Sequence, residues 1–247
     1  MLNKLGKLLK YEFLFYFRIL PPLYLVMMLT AVIMRFQGTL AGIAFPLLLL
    51  VWGGLLLAIT IITIILIIQR FIDNFMKDSG ALMFTLPVTV WALITSKAVA
   101  AFCMVLTGVL TVGISSMLYI MGTENQFLRF LPELNISVTD MTGFVLSVLV
   151  YLIRILLQIN LIYLAITFSR LLPRFRFPAG CVIYLVVMNF LQNIFRFINK
   201  NTGEFLEAGS NPWNFHQNII TGITALAFAG LFFWVTGFLL KRRFNHE

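Results

Sequence analysis

Long apolar runs separated by short polar segments recur along the whole chain. An α-helix needs about 20 apolar residues to cross the hydrocarbon core of a bilayer. Stretches of that order recur six times, and no soluble domain interrupts them. The predicted spans are Leu20 to Met34, Ile43 to Ile68, Ala98 to Met121, Gly143 to Phe168, Ala179 to Ile198 and Ile219 to Leu240. The pattern therefore predicts an all-α integral membrane protein with six transmembrane helices.

The segment before the first predicted span is amphipathic. Apolar residues from Leu2 to Tyr16 recur at helical spacing, whereas Lys4, Lys7 and Arg18 fall on the opposite side. This pattern predicts an interfacial amphipathic helix over residues 1–18, with Pro21-Pro22 marking the turn into the membrane domain of residues 19–247. Alternatively, the same helix extends the first span.

The segment before the last span is long for a simple connection. Residues 199–218 contain Trp213 and Phe215, which are typical anchors at a membrane interface. The segment is long enough for a short re-entrant outer helix before the last span.

The basic residues lie mostly on alternate connections, which predicts the orientation. Short loops rich in Lys and Arg stay in the cytoplasm. An even number of spans places both termini on one side, and the charges make that side the cytoplasm. The outer side would hold only Arg35, Arg129, Arg196 and Lys200. The cytoplasmic side would hold Lys4, Lys7, Lys10, Arg18, Arg70, Lys77, Lys97, Arg170, Arg174, Arg176, Lys241, Arg242 and Arg243.

The composition excludes a water-soluble globule. Apolar residues make up 61% of the chain and charged residues 11%, and the mean hydropathy is +0.99. Membrane topology accounts for the net charge of +9 better than nucleic acid does, because the charges lie between apolar runs. Cys103 and Cys181 lie inside such runs, so we expect two small core residues and no disulfide.

The predicted spans lack the residues of most catalytic sites. None contains Asp, Glu or His, which weighs against metal sites and ion-coupled carriers. No phosphate-binding loop of the Gly-x-x-x-x-Gly-Lys-[Ser/Thr] kind occurs, so ATP would have to bind to another polypeptide. The sequence Gly113-Ile114-Ser115 is similar to the serine motif of rhomboid-like proteases, but Ser116 replaces the second glycine and His216 lies too shallow to act as base. We expect no enzyme in this chain.

Polar residues within the spans form a candidate translocation pathway. Arg154 lies inside the fourth predicted span, where a charge costs about 2.5 to 3.5 kcal/mol, so it should face protein, water or ligand. The alternative is that these residues join helices through hydrogen bonds. The candidate pathway residues are Arg154, Gln158, Asn189, Gln192, Asn193 and Arg196.

The cytoplasmic loop 69–97 carries a family resemblance. Its sequence from Lys77 to Val88, KDSGALMFTLPV, followed by Ser96-Lys97, resembles a signature of ABC type-2 permeases of Gram-positive bacteria, with Ala81 in place of the usual aromatic residue. The opening Lys10-Tyr11-Glu12-Phe13 and the six-span layout are also similar to that family.

The resemblance implies a permease subunit of an ATP-binding-cassette exporter. Two permease subunits, identical or homologous, would join two ATPase subunits that hold ATP and magnesium, with no cofactor in this chain. The functional analogue is an exporter of phenol-soluble modulins, which are amphipathic helical peptides, so the substrate would be amphipathic or hydrophobic. The alternative is a non-transporting assembly or sensor subunit, or the intramembrane protease. The implied ATPase-coupling residues are Phe71, Asp73, Phe75, Lys77, Asp78, Leu82 and Phe84.

The predicted orientation can be tested by labelling. In a background with Cys103 and Cys181 replaced by alanine, single cysteines at Glu133 and Glu204 should react with an impermeant thiol reagent on intact cells. Cysteines at Lys77 and Arg174 should react only after the cells are opened, because those positions are predicted to be cytoplasmic. Labelling of the Lys77 position on intact cells would overturn the orientation.

Overall fold

The computed structural model describes residues 2–35, 44–75, 90–122, 138–169, 176–205 and 215–244, and all of them are helical. The six helices are α1 (Leu2–Arg35), α2 (Ala44–Phe75), α3 (Val90–Gly122), α4 (Val138–Ser169), α5 (Arg176–Phe205) and α6 (Phe215–Phe244). Each contains a stretch long and apolar enough to cross a membrane. The protein is therefore an all-α, multi-pass membrane protein, as the hydrophobic pattern predicted.

The N-terminal amphipathic segment and the first span form one continuous helix. Pro21 and Pro22 lie inside α1, and the membrane-spanning stretch of this helix runs from Leu9 to Met34. The turn expected at these prolines is absent. Proline has no backbone N–H group, so Pro21 and Pro22 each remove one hydrogen bond from the helix. A long apolar helix in a membrane tolerates this loss when neighbouring groups satisfy the freed carbonyls.

Helices α2 and α3 extend into segment 69–97, which the sequence predicted to be a cytoplasmic coupling loop. α2 continues to Phe75, and α3 begins at Val90, so both flanks of segment 69–97 are helical. The expected re-entrant helix falls partly on residues 206–214, which lie outside the described residues.

The chain divides into two compact units, of which the first comprises residues 1–74 and 95–135. Its core joins α1, α2 and α3 through large side chains. Tyr16 and Leu20 of α1 pack with Leu66 of α2 and with Ala100 and Met104 of α3. The buried face of α1 repeats at helical spacing, as the buried residues Glu12, Tyr16, Leu20, Met27, Ala31 and Met34 show.

The second unit comprises residues 75–94 and 136–247, and small residues shape its packing. Gly222, Ala225 and Ala229 recur along one face of α6 and are buried. A Cβ atom on Gly222 would lie 3.2 Å from Cγ2 of Val150 in α4. Small residues let helix backbones approach closely, and α4 and α6 have the most extensive contact among the helix pairs of this unit.

The first turn of α3 also belongs to the second unit. The ring of Trp91 packs directly on Gly237 of α6, and its centroid is 5.4 Å from that of Phe233. No space for a Cβ atom remains at Gly237.

Gly237→Ala should therefore destabilise the protein. The added methyl group would clash with Trp91, and overpacking of this kind costs about 1–3 kcal/mol. Gly230→Ala is the matched control in the same helix, because a Cβ atom there would meet nothing within 4 Å. Thermal unfolding in detergent should show a lower midpoint for Gly237→Ala and no loss for Gly230→Ala. Equal midpoints for the two variants would contradict the packing of Trp91.

Candidate functional site

A cavity of about 450 Å³ lies between α4 and α5 within the second unit. Its volume is in the range of small-molecule binding sites. The lining residues are Arg154, Leu157, Gln158, Met188, Leu191, Gln192, Phe195 and Arg196. The structure thus brings together four of the six residues that the sequence placed in a pathway, and we call this cavity the α4–α5 groove.

Gln158 joins the two helices at the groove. The Tyr184 hydroxyl donates to Oε1 of Gln158 at 3.1 Å, and Nε2 of Gln158 donates to Sδ of Met188 at 3.2 Å. Both ends of this amide are therefore occupied by α5. Gln158 fits the helix-joining role that the sequence left open as an alternative.

Arg154 and Arg196 differ from Gln158 in their surroundings. Both are exposed in the isolated chain, and neither has an ion-pair partner among the described residues. The guanidinium of Arg154 lies over the ring of Phe195, 5.2 Å from its centroid. This is a cation–π arrangement, which stabilises the charge only in part.

Asn189 and Asn193 do not line the groove. Asn189 is exposed, and its Nδ2 donates to the carbonyl of Leu185 in its own helix at 2.9 Å. Asn193 is exposed as well. Asn189 and Asn193 directly follow Met188 and Gln192, which line the groove. One position along an α-helix is a rotation of about 100°, so the two asparagines face away from α4.

The floor of the groove was not predicted from the sequence. Leu157 and Leu191 are buried in a cluster with Leu161 and Ala225, against which Phe195 packs. In α5 the residues that face α4 recur as Tyr184, Met188, Leu191 and Phe195. This helical repeat could have indicated the face of α5 that packs on α4. A face that contacts lipid shows a similar repeat, so the sequence does not distinguish the two.

A buried cluster of charges joins the three helices of the first unit. Oε2 of Glu12 in α1 accepts from Nε of Arg70 in α2 at 2.7 Å. Oε1 of Glu12 accepts from Nζ of Lys97 in α3 at 2.9 Å. The side chains of Glu12 and Lys97 are only 3% and 2% exposed. We call these three residues the Glu12 cluster.

The position of Glu12 contradicts the prediction that no span contains an acidic residue. The first span was expected to begin at Leu20, which left no acidic residue inside a span. In the structure this stretch begins at Leu9 and includes Glu12, and the second stretch ends at Asp73. The break assumed at the two prolines caused the error. Glu12 is the one acidic residue in the first 72 positions, and it lies beside a long apolar run. A lone carboxylate in such a position indicates a basic partner elsewhere in the chain, and this signal was available in the sequence.

The structure describes only part of the predicted coupling set. Phe71 is fully buried, so its ring is not available to a partner protein. Its expected role as an apolar anchor for the ATPase is therefore wrong. Asp73 is partly buried and lies close enough to Lys97 to act on its charge. The backbone of Phe75 ends α2. Lys77, Asp78, Leu82 and Phe84 lie outside the described residues.

Ser115, the serine of the protease-like motif, is fully buried. Its hydroxyl donates to the carbonyl of Val112 at 2.8 Å, within its own helix. Ser116 makes the same kind of bond to Gly113. These hydroxyl groups satisfy themselves locally, which is an ordinary arrangement for serine in an apolar helix.

Comparison with known proteins finds no matching family model, no matching curated protein and no matching solved structure.

Glu12→Gln should strongly destabilise the first unit. Removing one partner of a buried ion pair costs about 3–5 kcal/mol, because Lys97 would stay buried without the carboxylate that its ammonium group contacts. Adding Lys97→Met should recover part of this loss, since it removes that charge. Arg18→Gln, at an exposed position of the same helix, is the control and should change little. Unfolding midpoints in detergent measure all four proteins, and a Glu12→Gln variant as stable as the wild type would refute the cluster.

Proposed function

We propose that this chain is the transmembrane permease subunit of an ATP-binding-cassette exporter. It would pair with a second permease, identical or homologous, and with two copies of a separate ATPase subunit. That ATPase would bind ATP and magnesium. The assembly would move amphipathic or hydrophobic molecules outward across the bacterial cell membrane.

One contact carries the proposal. Two segments that share the family resemblance, Lys10-Tyr11-Glu12-Phe13 near the start of α1 and Ser96-Lys97 in α3, meet in a buried ion pair between Glu12 and Lys97, which are 85 positions apart. Arg70, at the end of α2, joins the same carboxylate. Both helices that lead into and out of segment 76–89 are thereby fixed to α1. A loop that receives force from an ATPase needs such fixed flanks, because otherwise its movement would be lost in local bending.

The α4–α5 groove supports transport as the role of the membrane domain. Polar and charged side chains at membrane depth are costly and commonly mark a substrate route. Here they line a cavity that also has an apolar floor. This combination suits an amphipathic molecule better than an ion, which would need carboxylates or carbonyls around it.

The alternative is a subunit that assembles or senses without transporting anything. Such a subunit would have the same membrane architecture as a permease but would not bind an ATPase. A permease must bind an ATPase through a cytoplasmic element, typically an apolar face that sits in a groove.

The coupling test uses the loop positions that remain candidates. Leu82→Ala with Phe84→Ala should weaken co-purification of the ATPase about tenfold or more, because docked apolar anchors dominate binding energy. Substrate-dependent ATP hydrolysis should fall in parallel. Ile223→Ala with Leu226→Ala is the matched control, since both side chains are exposed and lie within the apolar stretch of α6.

Two results would contradict the proposal. Intact ATPase binding and hydrolysis in the Leu82 and Phe84 variant would refute the coupling assignment. A wild-type protein that purifies from its native membrane without any ATPase would favour the non-transporting alternative.

A further inference from the structure

The α4–α5 groove holds two positive charges and no negative one. Arg154 and Arg196 both line it, and no acidic residue does so in the part of the chain that the structure describes. A guanidinium stays protonated in proteins, so the low polarity of the membrane does not neutralise these charges. The face of Phe195 offsets the charge of Arg154 in part.

The first unit shows how this chain pairs the cations of its helices elsewhere. Arg70 and Lys97 share the two carboxylate oxygens of Glu12 at 2.7 and 2.9 Å. Arg70 also lies over the ring of Phe15, 4.7 Å from its centroid. It thus combines an aromatic face with a carboxylate. Arg154 has the aromatic face, and no carboxylate of the described residues accompanies it, so its charge remains able to bind an anion.

The depth of the two arginines suits a headgroup. Arg196 lies two residues before the end of the apolar stretch of α5, which runs from Pro178 to Ile198. The side chain of Arg154 leans toward the N-terminus of α4 and contacts Phe195, close to the C-terminal end of the α5 stretch. Arg196 follows Phe195 at that same end, and its long side chain can extend toward the interface. Both guanidinium groups can therefore meet an anion at one interface.

The floor below the arginines is apolar. Leu157 and Leu191 line the groove and are only 1% and 2% exposed. A molecule whose charged group contacts the arginines would place its adjoining part against this floor. That part must be apolar, because an additional polar group there would lack a partner.

We propose that Arg154 and Arg196 bind the phosphate or carboxylate group of an anionic amphipathic molecule, whose apolar part lies against Leu157 and Leu191. This inference rests on the proposed function where it identifies that molecule as a transported substrate. The same chemistry is offered by an anionic phospholipid of the surrounding bilayer, and the experiment separates the two sources.

The first arm measures binding to the purified permease alone, without an ATPase. Native mass spectrometry compares phosphatidylglycerol with phosphatidylcholine of the same acyl chains. The wild type should retain the anionic lipid preferentially. Arg154→Gln with Arg196→Gln should weaken its retention about tenfold or more, because charge-assisted hydrogen bonds are lost. Arg154→Lys with Arg196→Lys should retain most of the preference for the anion.

Arg18→Gln is the control, since it removes one exposed positive charge from α1 and should leave retention unchanged. Unfolding midpoints check that every variant is folded, and each single Arg→Gln variant replaces the double variant if that one does not fold. No preference for phosphatidylglycerol in the wild type would overturn the proposal. Equal loss in Arg18→Gln, or retention unchanged by the groove variants, would overturn it as well.

The second arm identifies the source with the ATPase complex in vesicles of phosphatidylcholine only. Dodecyl phosphate should stimulate ATP hydrolysis in the wild type and not in the double variant if the groove binds a transported substrate. Anion binding in the first arm without this stimulation assigns the groove to a resident phospholipid. If no ATPase complex forms, the proposed function fails, while the first arm still decides whether the groove binds anions.

Discussion

The packing of the first unit depends on the carboxylate of Glu12. It is buried, and it accepts from Arg70 and Lys97 on two other helices. A buried ion pair contributes little net stability relative to an apolar core, but a mismatch leaves a charge unpaired at high cost. The cluster therefore acts chiefly on specificity. Sliding α1 by one turn against α2 or α3 would separate the charges, so Glu12 fixes the register of all three helices.

The two units solve the same physical problem differently. In the first unit, large side chains and charges fill the space between helices, as Tyr16 and the Glu12 cluster show. In the second, glycine and alanine on α6 allow close approach to α4, and Nδ2 of Asn160 donates to the carbonyl of Ala229 at 3.4 Å. The α4–α5 contact is close at Gly180, where a Cβ atom would lie 3.2 Å from Cβ of Ser169. It opens into the cavity where Arg154, Met188 and Phe195 lie between the two helices.

Helix α3 contributes to both units. Its first turn, with Trp91, packs on Gly237 of α6, whereas Lys97 two turns later binds Glu12 of α1. Under the proposed function, a displacement transmitted through segment 76–89 would reach both units through this helix. The two contacts are chemically unlike, one a ring on a glycine and the other an ion pair. They would therefore respond differently to the same displacement.

The sequence by itself determined the all-α class, the six apolar helices and the placement of Arg154 with Gln158, and of Gln192 with Arg196, on one face of each helix, because apolar length and helical periodicity are local properties. It misjudged the first span, because the local effect of Pro21 and Pro22 suggested a break that the helix does not show. The partnership of Glu12 with Lys97, the burial of Phe71 and the division of the pathway residues were decided only by tertiary structure. Each depends on which faces of separate helices meet, and that choice follows from side-chain volumes and charge pairing across the chain rather than from the pattern within one helix.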